Sequence, residues 1–102
     1  MVNQPRPLVL IVDDNKENIQ VLGNLLRSSN YRIAIATAGQ QALDYVNKTL
    51  PDLIMLDIMM PGMDGYEVCK VLKNDPKTCH IPIIFLTAMA EEQDEARGLA
   101  LG

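Results

Sequence analysis

Leu8-Val9-Leu10-Ile11-Val12, an unbroken apolar row, sets the strongest limit on what this chain can fold into. A strand with one face in water alternates polar and apolar residues. An uninterrupted run is buried on both faces, as in a parallel sheet covered by helices on each side. The run stops at Asp13-Asp14. From Asn15 the period changes, and Ile19, Leu22, Leu25 and Leu26 recur at helical spacing until Ser28-Ser29-Asn30. Asp14 or Asn15 is placed to cap this helix, with Lys16 to Asn18 as its exposed first turn.

The same rhythm repeats. Arg32 to Thr37 alternates more weakly, as an edge strand does. Gly39 to Lys48 carries Ala42, Leu43 and Val46 on one helical face, and Leu50-Pro51 breaks it. Leu53-Ile54-Met55-Leu56 is a second buried run, closed by Asp57 and followed by a Pro61-Gly62 turn. A third helix brings Val68, Cys69, Val71 and Leu72 inward and ends near Asn74-Asp75-Pro76. Ile81 to Leu86 is a fourth strand, apolar on both faces, with Pro82 at its start where a missing donor is tolerated. Thr87 to Ala90 then leads into an acidic helix from Glu91 to about Leu101, with Ala96, Leu99 and Ala100 inward. Strands alternating with helices give right-handed crossovers and a parallel sheet, hence a doubly wound α/β domain. The domain is expected over residues 8–102, after a short extended tail at 1–7 that holds Pro5 and Pro7.

Composition narrows the function. The 102 residues make one domain, and the net charge is −4 with Lys and Arg scattered singly. There is no basic stripe to follow a phosphate backbone, so neither direct nucleic-acid binding nor an anionic membrane surface is expected. No apolar run approaches the roughly 18 residues that a membrane-crossing helix needs, and no leader precedes the fold, so the cytoplasm is the expected location. Cys69 and Cys79 form no CxxC pair and have no histidine cluster beside them, which argues against zinc and against a structural disulfide. His80, the single histidine, falls in a loop and reads as surface.

The strand ends carry the chemistry. Strands one, three and four finish at Asp13-Asp14, Asp57 and Thr87, and in a parallel sheet these ends share the edge where ligands bind. A carboxylate directly after four apolar residues is costly unless a cation or a reaction uses it. If strands one and three are neighbours, three acids converge, and one must titrate high unless a cation compensates. Oxygen donors without His or Cys favour Mg²⁺. Mg²⁺ beside a free carboxylate and a hydroxyl suits phosphoryl transfer, with Asp57 attacking and Thr87 donating a hydrogen bond. Singly, each residue has an ordinary structural reading: Asp13 or Asp14 as a helix cap, Asp57 as a turn residue, Thr87 as a strand-end hydroxyl. Their joint placement at three strand ends makes coincidence the weaker explanation.

Val12-Asp13-Asp14, Asp57 followed by Met60-Pro61-Gly62-Met63-Asp64-Gly65, and Ile81-Pro82-Ile83-Ile84 leading into Thr87-Ala88 together resemble the receiver domain of bacterial two-component response regulators. The resemblance spans nearly the whole chain. It implies a flavodoxin-like sheet in the order 2-1-3-4-5 and phosphorylation by a histidine kinase or phosphotransfer protein. It implies Asp57 as phospho-acceptor, and Mg²⁺ held by Asp14, Asp57 and the backbone carbonyl of Met59, with Asp13 assisting through water. Thr87 becomes the switch hydroxyl, and the backbone amide of Ala88 a phosphoryl contact. Met59 and Met89 stand where the family tunes dephosphorylation. The family pattern continues into a fifth strand, a lysine followed by proline, and a fifth helix. The sequence ends at Gly102 before them, so a sheet of order 2-1-3-4 lacking the last βα unit is expected. A fourth strand left as the border would invite a homodimer or a swapped assembly.

Two other function classes stay open. One is a receiver-like interaction or dimerisation module that is never phosphorylated, which the missing lysine favours and the intact acidic cluster opposes. The other is an Mg²⁺-dependent phosphatase-like hydrolase on the same sheet. Enzymes of that kind need a second acid two residues after the nucleophile, and Met59 stands there.

Overall fold

The computed structural model describes residues 6–86. The chain runs β1 (Leu8–Val12), α1 (Lys16–Ser28), β2 (Arg32–Ala36), α2 (Gly39–Lys48), β3 (Leu53–Asp57), α3 (Gly65–Lys73) and β4 (Ile83–Leu86). All pairings are parallel, in the order β2-β1-β3-β4. This is the expected doubly wound sheet. The expected helix from Glu91, together with Thr87 and Ala88, lies outside the described residues.

The strand order decides which helix covers which face. The α1 crossover steps from β1 outward to β2, and the α2 crossover steps back past β1 to β3. Right-handed connections therefore put α1 on one face and α2 with α3 on the other. Leu10, Val12, Ile54 and Leu56 point to the α2–α3 side, where they meet Ala42, Val46, Val68 and Leu72 in one buried cluster. Val9 and Ile11, of opposite parity, are also fully buried. The unbroken apolar β1 is thus used on both faces.

Helix starts follow local capping chemistry. Asn15 caps α1, its side-chain oxygen accepting from the Asn18 backbone N–H at 3.0 Å. Asp64 caps α3 in a reciprocal box: Asp64 accepts from the Glu67 N–H at 2.9 Å, and Glu67 accepts from the Asp64 N–H at 3.0 Å. Gly62, at φ 78, makes the turn before it.

The inward placing of Val71 needs correction. Val71 is 47% exposed, and Leu25 of the helically spaced row in α1 is 62% exposed, because α1 and α3 each turn a narrower stripe to the sheet than their apolar residues cover. Strand β4 starts two residues later than expected. Ile81 donates its N–H back to the Thr78 carbonyl and Pro82 has none to give, so pairing begins at Ile83. Ile83 is buried on the α3 side, whereas Ile84 is 46% exposed.

Candidate functional site

The β1–β3 pairing aligns Val12 with Leu56, so the residues that follow, Asp13 and Asp57, emerge side by side at the carboxyl edge. With Asp14 they form a cluster in which one carboxylate oxygen from each lies within 4.8 Å of the others. Asp13 is wholly buried, Asp57 is 7% exposed, and Asp14 is exposed. Two acids form the floor, and the third stands at the mouth.

Hydrogen bonds hold these acids from below. The Asp13 backbone N–H donates to the Ala36 carbonyl at 3.0 Å, fixing Asp13 to the end of β2. Its Oδ1 accepts from the Asn15 backbone N–H at 2.9 Å, and its Oδ2 from the Asn18 side-chain amide at 3.2 Å. Asp57 Oδ1 accepts from the Met59 backbone N–H at 3.2 Å. The loop after Asp57 is packed tightly beneath the site. Gly65 donates its N–H to the Ile58 carbonyl at 3.0 Å, and a Cβ on Gly65 would collide with the Asp57 carbonyl oxygen.

The site carries an electrostatic load. Burial, the Asp13 and Asp14 charges and a hydrogen bond shared with Asp13 raise the Asp57 carboxyl from 3.8 to about 6, against the lowering effect of the Met59 N–H. Among the described residues, every charged neighbour that perturbs Asp57 is another acid. Three carboxylates with an exposed entrance and, among the described residues, no His or Cys in the cluster are the ligand chemistry of a hard, partly hydrated dication, so this donor set fits Mg²⁺.

The structure therefore brings together Asp13, Asp14 and Asp57. Met59 follows in the loop with its side chain 75% exposed, while Thr87 and Ala88 lie outside the described residues. Asn18 belongs to the site as well. It reads in the sequence as a polar first-turn residue, and the signal that could have found it is the Asp13-x-Asn15-x-x-Asn18 spacing, which puts the second Asn one turn past the cap. Lys73 points away, its Nζ donating to the carbonyls of Cys79 at 3.2 Å and Ile81 at 2.9 Å. Both cysteines are free thiols. Among the described residues, no helix is long and apolar enough to cross a membrane.

Fold and edge together define a flavodoxin-like α/β domain with an acidic pocket at the point where the strand order reverses. Comparison with known proteins makes this specific. The family model of the response regulator receiver domain matches residues 9–102. Response regulator PleD of Caulobacter vibrioides is 44% identical over 94 residues, which cover 92% of this chain and 21% of that protein. The polar-differentiation response regulator DivK of Brucella ovis is 42% identical over 89 residues, 87% of this chain and 72% of DivK. The crystal structure of a putative response regulator from Chloroflexus aurantiacus superposes with a TM-score of 0.87 at 35% identity, covering 97% of this chain and 80% of that one. The chain belongs to the response regulator receiver domain family. It spans about a fifth of the length of PleD. Receiver domains are the phospho-accepting modules of two-component signalling, and they bind Mg²⁺ through an acidic cluster and work with histidine kinases or phosphotransfer proteins.

Proposed function

We propose that this domain, residues 8–102 after a short tail, accepts a phosphoryl group on Asp57 from a histidine kinase or phosphotransfer protein. The observation that carries this reading is the convergence of Asp13, Asp14 and Asp57 at the end of β1 and β3, where acids are the charged neighbours of Asp57 among the described residues. Asp14, Asp57 and the Met59 carbonyl would hold Mg²⁺, with Asp13 assisting through water. When bound, the ion supplies positive charge against the phosphoryl oxygens.

The chain's own residues do the rest. With a carboxyl group that titrates at about 6, Asp57 is ionised at neutral pH and able to act as nucleophile. One of its oxygens bonds to phosphorus as the phosphorus–nitrogen bond of the donor phosphohistidine breaks. The electron pair returns to the imidazole, and an acyl phosphate is left on Asp57. The Met59 N–H, already on Oδ1, holds the carboxylate rotamer. Thr87 would donate its hydroxyl, and Ala88 its backbone amide, to the phosphoryl oxygens. The product stays on the protein, so the domain acts as a stoichiometric carrier and not as an enzyme. It works in the cytoplasm with protein partners, without direct nucleic-acid or membrane contact. Among the described residues β4 borders the sheet, and the backbone edge of a border strand suits pairing with a second copy.

Incubation with Mg²⁺ and a small-molecule phosphodonor, read by intact mass, tests the proposal. One phosphoryl adduct is expected on the parent and none on Asp57→Ala. An unmodified parent, or equal labelling of the variant, would overturn it.

A further inference from the structure

Asp13, Asn15 and Asn18 close a small ring. Asp13 Oδ1 accepts from the Asn15 backbone N–H at 2.9 Å, Asn15 Oδ1 accepts from the Asn18 backbone N–H at 3.0 Å, and the Asn18 side-chain amide returns to Asp13 Oδ2 at 3.2 Å. A carboxylate only accepts, so the amide nitrogen of Asn18 must face it. Both Asp13 oxygens are engaged by donors from the start of α1, which leaves the carboxylate no freedom to rotate away from Asp57. Asp13 is wholly buried beside two other acids, and a held neutral donor eases that charge without placing a competing cation in the pocket.

We propose that Asn18 is a positioning residue for the cation site, acting through Asp13. The inference rests on the magnesium reading above. Asp13 would meet the ion through water, and losing an outer group of that kind weakens metal binding by about 10- to 100-fold. Asn18 holds Asp13 in place for that role, so the low end of the range applies to it. Asn15 performs two separable jobs: its side chain caps the helix, and its backbone N–H anchors Asp13. Asn18 is the one ring member whose side chain meets the acid directly.

Isothermal titration of the metal-free protein with MgCl₂ tests this. Asn18→Leu keeps the branched outline of the side chain and removes the donor, and Asn18→Ala guards against a packing effect of the bulkier leucine. Both are expected to weaken Mg²⁺ binding by about tenfold. In an Asp13→Asn background, Asn18→Leu is expected to change the affinity by less than about twofold, because the two residues act as one unit. Unchanged Mg²⁺ affinity in both Asn18 variants would overturn the inference while leaving the site reading intact. An equal loss in both backgrounds would overturn it too, since Asn18 would then act on fold stability and not on Asp13. A parent that takes up no Mg²⁺ would overturn the site reading, and this inference with it.

Discussion

Leu8 and Asp52 are joined twice: the Leu8 N–H donates to Asp52 Oδ2 at 2.7 Å, and the Asp52 N–H donates to the Leu8 carbonyl at 2.8 Å. This clamp closes the β1–β3 pair at the end opposite the acidic cluster. The same register, carried from Val9 beside Leu53 to Val12 beside Leu56, delivers Asp13 next to Asp57. Asp52→Ala removes a charged acceptor and is expected to lower stability by about 1.5–3 kcal/mol in urea unfolding, with Asp52→Asn recovering most of it. Buried side chains on both faces of β1 keep the register itself, so Mg²⁺ affinity should change little.

The raised carboxyl of Asp57 makes stability depend on pH with a defined sign. Between its ordinary value of 3.8 and about 6, the native state holds a proton that the unfolded chain has released. Stability from this group therefore falls as pH rises through that window and stays low above it. Asp57→Asn removes the penalty. Its advantage over the metal-free parent is expected to be near zero at the acid end and to grow to at most about 3 kcal/mol above the window. Thermal unfolding of both proteins across the range checks this, and saturating Mg²⁺ should abolish the difference at neutral pH.

Gly65 and Gly62 separate two kinds of glycine requirement. A Cβ on Gly65 would sit 2.8 Å from Ile58 Cα and collide with the Asp57 carbonyl oxygen, so the backbone of the site itself would have to move. Gly65→Ala is expected to cost about 1–3 kcal/mol and to slow phosphoryl loading of Asp57. At Gly62, φ is 78 with nothing within 4 Å of a new Cβ. Gly62→Ala should cost about 1–2 kcal/mol through its left-handed backbone and leave loading unchanged. Urea unfolding and the time course of the mass adduct measure both.

The fold was legible where burial is two-sided. Leu8–Val12 has the same limits in sequence and structure, because five apolar residues in a row leave no choice of face. Helical spacing identified α1 and α3 but misjudged Val71, since the width of a buried stripe depends on the neighbouring elements and not on the helix alone. The three acids were legible from their places at strand ends. The role of Asn18 was not, because its partner lies five positions back across a cap whose geometry appears only once Asn15 has turned the chain.

The β1–β3 pair that creates the pocket unites residues 44 positions apart at its Leu8–Asp52 end, with all of α1, β2 and α2 between them. Contacts of such long sequence separation carry a loop-closure cost before they yield any gain, and they make folding slow. A cation that needs acids from both strands finds no complete site until that pairing is made. Its binding energy then acts mainly on the native side of the folding barrier, so occupancy of the pocket should slow unfolding far more than it speeds folding.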